Sequence, residues 1–374
     1  MLLYLFWASL LLILYTYFGY PLLLLTAARL FPKPLVTGTD LPQVSILIAA
    51  YNEAPNIQAK LETCLNLDYP ADRLEILIGS DASDDGMDQI VTELGHERVR
   101  LVRLPSRSGK VTVLNRLAEE AKGEILFFTD ARQRLAPDCL RVMVAYFADP
   151  SVGSVSGELM LLGKESGSFG EGVGFYWKYE KALRKAESKL NSMLGATGAI
   201  YTLRRELFVP APADTLLDDM FYPLQAVLQG KRAVFAEAAH AYDQVSATPG
   251  SEMRRKVRTL AGNFQIFAQV SPLLLPFKSP IAWQFISHKL LRVLAPYFLL
   301  LLFLVNTVLR GSFYELFLAA QIAFYCLALI GSFVQGTRLN LRLFSLPLTF
   351  CSLNLAAFLG GLSYFTAKQQ VTWK

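Results

Sequence analysis

Cysteine, histidine and charge are all scarce in this 374-residue chain. The four cysteines, Cys64, Cys139, Cys326 and Cys351, lie far apart with no C-x-x-C pair, and two sit in apolar runs. That pattern argues against a disulfide framework and for reduced residues in a core or a membrane. The three histidines, His96, His240 and His288, are nowhere closely paired, so no zinc-ligand spacing exists. Only 18% of residues are charged, against about 25% in an ordinary soluble protein. The deficit excludes disorder, a collagenous chain and a highly charged nucleic-acid arm. Internal repeats and low-complexity stretches are also missing. The net charge of +5 is too mild to argue for nucleic acid and suits a basic face beside an anionic membrane equally well.

What is present in excess is apolar sequence, 53% of residues. The length leaves room for one large domain of ~230 residues plus several membrane spans. Residues 1–30 are apolar from the start and uncharged before Arg29, which is long enough to cross ~30 Å of hydrocarbon and unlike a cleaved leader. Arg29 and Lys33 follow, which places the far side of this span in the cytoplasm. After Ser271 the chain turns apolar again. Three prolines (Pro272, Pro276 and Pro280) and then Trp283, His288, Lys289 and Arg292 suggest an interfacial segment over 268–289. Three further spans are expected within 290–366, at 290–309, 313–334 and 343–366. The 336–342 loop, with Arg338 and Arg342, reads as inside, whereas Lys368 and Lys374 at an outside C-terminus conflict mildly. No ionisable residue lies deep in any span, which argues against ion transport.

Between these apolar blocks, residues 42–267 alternate short β-rich runs with helix-period segments. Strands are expected at 44–50, 75–78, 99–104 and 124–129, and helices at 55–65, 87–94, 111–121 and 137–147. Such alternation specifies an α/β domain with a mostly parallel sheet covered on both faces, which binds ligands beyond the carboxyl ends of its strands. Three of those ends carry acids or amides: Tyr51-Asn52-Glu53, Asp81 in Ser80–Gly86, and Asp130-Ala131-Arg132. A carboxylate there can accept from a nucleobase N–H or a ribose hydroxyl, or hold a divalent metal through hard oxygen. Any one of these residues could equally be a turn former or helix cap.

Taken together the motifs resemble the membrane-embedded family 2 glycosyltransferases with a GT-A fold, the group of cellulose, hyaluronan and poly-N-acetylglucosamine synthases and ceramide glucosyltransferase. The resemblance implies that Asn52, Glu53 and Asp81 hold a nucleotide, most simply the uridine of a UDP-sugar. Ser106–Lys110 followed by Leu114-Asn115 resembles the family's Gly-Lys segment, which brings Lys110 to the diphosphate. The third acidic motif departs from Asp-x-Asp: Arg132 stands where the second acid belongs. Either Asp130 still carries Mg2+ or Mn2+ with diphosphate oxygens, or Arg132 itself stabilises the leaving group. Gly195, Thr197 and Gly198 resemble the acceptor-side loop. Asp218-Asp219 replaces the family's Glu-Asp, giving Asp219 the role of base and Asp218 that of the acid whose charge raises its basicity. Arg255 and Arg258 match the spacing of the family's Gln/Arg-x-x-Arg-Trp, but Thr259 replaces the tryptophan. Trp177, in an amphipathic segment over 172–191, is a candidate for the acceptor path.

The resemblance implies an inverting transfer from a nucleotide sugar to a hydroxyl. The acceptor is a growing polysaccharide or a membrane lipid, and the lost tryptophan leans toward the lipid. A scaffold subunit that binds nucleotide without catalysis is the alternative from another class. The implied setting is the bacterial inner membrane with the catalytic domain in the cytoplasm.

Overall fold

The computed structural model describes residues 1–162, 168–244, 249–334 and 342–366, with backbone only for 168–176, 249–252 and 342. Arg338, Lys368 and Lys374 therefore lie outside the described residues, as does the side chain of Arg342. The chain opens with α1 (Leu2–Leu14) and α2 (Tyr20–Leu30), which a π turn over Tyr15–Gly19 joins into one helix long and apolar enough to cross a membrane. Pro21 explains the turn: a proline ring clashes with the carbonyl four residues earlier, and the widened turn contains that carbonyl.

An alternation follows: β1 (Val44–Ala50), α3 (Ala54–Leu65), β2 (Leu74–Ser80), α4 (Met87–Leu94), β3 (Val99–Arg103), α5 (Lys110–Glu120) and β4 (Ile125–Phe128). Then come β5 (Arg134–Leu135), α6 (Cys139–Val144), β6 (Val152–Leu162), α7 (Ser168–Leu190), β7 (Tyr201–Arg204), α8 (Asp218–Leu228), β8 (Arg232–Gln244) and α9 (Pro249–Gln269). The eight strands form one sheet in the order β3-β2-β1-β4-β7-β6-β8-β5. The first four are mutually parallel, as the alternation requires. Beyond them β7 runs antiparallel to β4 and β6, and β5 antiparallel to β8, so the sheet is mixed and the parallel expectation holds best for its first half. β7 departs because Gly195–Ile200 delivers the chain to the sheet from the ligand end, leaving no crossover.

All seven residues of β1 are buried, and they divide by the period of two. Leu47 and Ala49 face the α5, α8 and α9 side, while Val44, Ile46, Ile48 and Ala50 face the α3, α4 and α6 side. Register then sets the site: Ala50 pairs with Ser80 and Leu47 with Phe128, so Tyr51, Asp81 and Asp130 leave the sheet at one end.

The remaining elements are α10 (Ala282–Gln284), α11 (Leu291–Asn306), α12 (Ser312–Val334) and α13 (Arg342–Phe365). A π turn over Phe285–Leu290 fuses α10 and α11, and Ala282–Asn306, Ser312–Val334 and Leu343–Phe365 complete four candidate spans among the described residues. The second span starts at Ala282, eight residues ahead of the expected 290, so His288, Lys289 and Arg292 lie within its helix. Their polar ends explain why the helix tolerates them. His288 Nδ1 is 2.6 Å from Glu187 Oε1, and Arg292 donates to Glu180, with both acids on α7. Tyr20 of α2 also donates to Glu187, at 2.7 Å. Burial works against the charge on Glu180, but Arg292 and His288 outweigh it and hold its carboxyl well below the usual range.

Gly79 packs β2 against α5 so closely that an added Cβ would lie 2.1 Å from Val113 Cγ1. Gly79→Ala should cost ~1–3 kcal/mol through overpacking. Thermal unfolding of the detergent-purified protein measures the loss, and an unchanged midpoint would contradict the close packing.

Candidate active site

Two residues past β1 comes Asn52, whose left-handed backbone (φ 54) suits an asparagine and turns the chain into α3. Its side chain exchanges hydrogen bonds with Asp84, donating to Oδ1 at 2.7 Å and accepting from the Asp84 N–H at 3.0 Å. The first two strand-end loops are thus sewn together, and Ala82 sits in the left-handed region as well (φ 56). A non-glycine residue in that region stores local strain. Glu53 accepts from Asn56 at 2.6 Å and lies 3.9 Å from Arg132, which is largely exposed. Arg107 stacks over Tyr51, 4.0 Å from the ring centroid, on the same rim.

Asp81 is fully buried and accepts the backbone N–H groups of Ser108 at 2.6 Å and Gly109 at 3.0 Å. Its carboxylate is thereby the anchor of the Gly-Lys loop. Gly109 (φ 92) makes the turn into α5, and Lys110 is the first residue of that helix. The Lys110 ammonium lies 2.9 Å from Asp130 Oδ1 and 3.2 Å from Asp218 Oδ2. Burial disfavours its charge, yet Asp130, Asp218 and Asp219 together hold its pKa above the ordinary lysine value.

Asp218 and Asp219 open α8, where the helix dipole favours anions. Asp218 is buried and also accepts from the Tyr201 hydroxyl at 3.3 Å. Burial and then Asp218 keep that phenol well above its ordinary pKa, so it stays a donor. Burial, the Asp218 charge and Asp130 push Asp219 up to about 6, while Lys110 and Arg184 pull the other way. The glycine-rich loop closes over this carboxylate. Ala196 N–H donates to the Asp219 carbonyl at 2.8 Å, and a Cβ on Gly198 would come 3.3 Å from Asp219 Oδ2. A Cβ on Gly195 would meet Met220 at 2.7 Å. Thr197 donates its N–H to Ser156 at 2.9 Å and accepts from Arg184 of α7 at 2.5 Å.

The structure thus brings Lys110, Asp130, Asp218, Asp219 and the Gly195–Gly198 loop together. Asn52, Glu53 and Asp81 lie on the adjoining strand ends. Trp177 is exposed on α7, seven residues ahead of Arg184. Arg255 and Arg258 lie on α9, and among the described residues neither forms an ion pair with a site carboxylate. The same helix clamps the approach to Asp218: Gln265 accepts from Leu216 N–H, Gln269 donates to Thr215, and Gly262 packs on Leu217.

Sequence reasoning missed two contributors. Lys60 is buried in α3 and donates to Thr129 Oγ1 at 2.6 Å and to the Gln133 carbonyl at 2.9 Å, bracing both sides of Asp130. Arg184 looked like one more solvent-facing cation in a charged helix. Neither carries a motif. Asn115, by contrast, has a structural task. It bonds Ala211 through both ends of its amide and accepts from Tyr222, tying α5 to the segment that leads into Asp218. Among the described residues no group of three or more His, Cys, Asp or Glu side chains gathers as a metal cage.

This geometry has known counterparts. Residues 45–209 match the profile of Glycosyl transferase family 2, so the chain is similar to that family over this stretch. A β-monoglucosyldiacylglycerol synthase of Synechocystis sp. is 30% identical over 179 residues, 46% of this chain and 36% of that protein. A poly-β-1,6-N-acetyl-D-glucosamine synthase of Staphylococcus aureus is 22% identical over 239 residues, 63% of this chain and 58% of that one. The matched stretch thus spans between about a third and three-fifths of these relatives. A mannosyltransferase of Pyrobaculum calidifontis, solved with GDP-Man and Mn2+, superposes with a TM-score of 0.74 at 25% identity, covering 98% of this chain and all of that one. The fold is GT-A-like, and the four apolar helices belong to a membrane protein.

Lys110→Met should cost stability on the order of 2–3 kcal/mol, because Asp130 and Asp218 lose their shared cation, with some relief from the partial exposure of Asp130. The deficit should be full at neutral pH and shrink as pH rises well above the ordinary lysine value, where the wild-type ammonium is lost too. Unfolding midpoints across a pH series measure it, and a deficit independent of pH would contradict the charge assignment.

Proposed function

We propose that the protein transfers a sugar from a nucleotide-sugar donor to a hydroxyl acceptor at the membrane, by single displacement with inversion. The observation that carries this reading is Asp219. It is a carboxylate tuned to about 6 and half-buried under a glycine-rich loop, beside a lysine already committed to neutralising acids. A base with that affinity is ionised at neutral pH and still accepts a proton readily.

In the proposed step the acceptor oxygen bonds to the anomeric carbon as its proton passes to Asp219. The bond from that carbon to the diphosphate oxygen breaks, and the nucleoside diphosphate departs with the electron pair. Lys110 meets the developing negative charge, and no solvent reorganisation is needed because Asp130 and Asp218 already hold the ammonium in place. We assign the nucleotide to Asn52, Glu53 and Asp81, with Arg107 and Tyr51 as the stacking pair on that rim. The acceptor enters past Gly195, Thr197 and Gly198, with Trp177 along its path. Arg255 and Arg258 are assigned to the diphosphate through movement of α9.

Asp130, partly exposed and bound through one oxygen, fits a divalent cation shared with diphosphate oxygens, which would supply charge neutralisation at the leaving group. Arg132 fits that task less well because it extends toward Glu53. Arg29 and Lys33 beyond the first span support a cytoplasmic catalytic domain in a bacterial inner membrane. The donor is assigned as a UDP-sugar, with a GDP-sugar as the competitor that the Pyrobaculum complex raises. The acceptor is a growing polysaccharide or a membrane lipid, as relatives of both kinds match.

The test is release of free nucleotide from UDP-glucose, UDP-N-acetylglucosamine, UDP-galactose and GDP-mannose, with Mg2+, Mn2+ or chelator. One donor should be consumed, and chelator should stop its consumption. Asp219→Asn should abolish release while donor binding persists, and an equally active variant would remove Asp219 from the role. Product length on a gel separates polymer from glycolipid. Binding without release from any donor would favour the scaffold alternative.

The pH profile gives a second check. A base must be deprotonated, so kcat/KM should fall as pH drops through about 6. Asp218→Asn removes a charge that raises Asp219, so its acid limb should shift to lower pH. A limb that stays in place would show that the titrating group is not Asp219.

A further inference from the structure

A cavity of about 620 Å3 opens where the last turn of α2 meets α7 and β8, on the side of α7 that carries Lys185, whereas its neighbour Arg184 reaches Thr197 of the acceptor-side loop. Four cations line the cavity: Arg29 and Lys33 just past the first span, and Lys185 and Lys189 on α7. Its one lining carboxylate, Glu237, is bound by Lys185 and, at 3.2 Å, by Lys181. Among the described residues Arg29, Lys33 and Lys189 have no ion-pair partner. The backbone nevertheless fixes the cluster. Lys33 N–H donates to the Lys189 carbonyl at 2.8 Å, and Arg232 donates to the carbonyls of Ser188 and Lys33. The remaining wall is mostly apolar, with Pro32, Pro34, Leu35 and Phe235 beside Tyr146 and Ser188.

We propose that this cavity binds the phosphate headgroup of an anionic phospholipid, separately from donor and acceptor. Three observations converge. The cations exceed the acids, and like charges held together by backbone bonds call for an anion. The cavity lies at the end of a helix long enough to cross a membrane, which is the depth of a headgroup. Its apolar wall suits the glycerol and upper acyl carbons rather than a free, fully hydrated ion. A headgroup there would bridge the first span to α7, whose other face holds Thr197 beside Asp219. The proposal concerns a site other than the catalytic one, so the donor reading can fail without it.

The experiment is native mass spectrometry of the full chain released from detergent with phosphatidylglycerol or phosphatidylcholine. The wild type should retain one phosphatidylglycerol per chain and no phosphatidylcholine. The double variant Lys33→Glu/Lys189→Glu should lose retention by at least about tenfold. Arg310→Glu is the matched control: it lies at the other end of the spans, where Phe6 of α1 packs on Tyr314, and should bind as wild type does. If the double reversal does not fold, Lys33→Gln/Lys189→Gln should show the same loss to a smaller degree. Equal retention in the double variant, equal retention of phosphatidylcholine, or complete displacement by inorganic phosphate would each overturn the proposal.

Discussion

Three carboxylates, Asp130, Asp218 and Asp219, lie within the influence of one ammonium, and the rest of the site is arranged around that imbalance. Two unit charges about 4 Å apart repel by about 4 kcal/mol at an effective dielectric of about 20, so the cluster holds together only if its cation is held too. The fold meets that demand in steps. Asp81 grips the Ser108 and Gly109 amides, Gly109 turns into α5, and Lys110 emerges as the first residue of the helix. A residue that the motif marks as a nucleotide contact is therefore also the support of the lysine that neutralises the next two motifs. Asp219 is left with the least share of the ammonium, so burial and the Asp218 charge prevail there and its affinity for a proton stays raised.

A second charge assembly fixes the domain to the spans. Glu180 and Glu187 on α7 meet Arg292 and His288 inside the second span, with Tyr20 of the first span on Glu187. Charged groups in an apolar helix are costly unless paired, and here Arg292 and His288 find partners on an element of the sheet domain. Because α7 also carries Arg184, the helix that docks on the spans is the helix that holds the loop over Asp219.

The strand ends were legible because chemistry and backbone pattern coincided there. Short apolar runs closed by Asn52, Asp81 and Asp130 read as a ligand-binding edge, and register places them so. β1 and α4 fall where the alternation put them, and Asp218-Asp219 at a helix start was visible as a motif. The second half of the sheet was less legible, since the antiparallel entry of β7 depends on a loop rather than a period. The start of the second span was misplaced because His288 and Arg292 look interfacial until Glu187 and Glu180 are known to face them. Lys60 and Arg184 left no trace at all: one is a buried lysine within an ordinary amphipathic helix, the other one cation among many. Residues whose meaning is a long-range partner cannot be told from solvent-facing charge by spacing alone.

The pairing between α7 and the second span has an evolutionary consequence. If a descendant lost Glu180, Arg292 would lose the carboxylate that its guanidinium meets on α7. If Arg292 went first, Glu180 would lose the stronger of the groups that hold its charge and keep His288. Either single step is costlier than both together, so these positions must drift as a pair, 112 residues apart in the chain. The sheet domain and its spans are thus bound in inheritance as well as in space, and exchanging either half between relatives would succeed only when this pair travels with it.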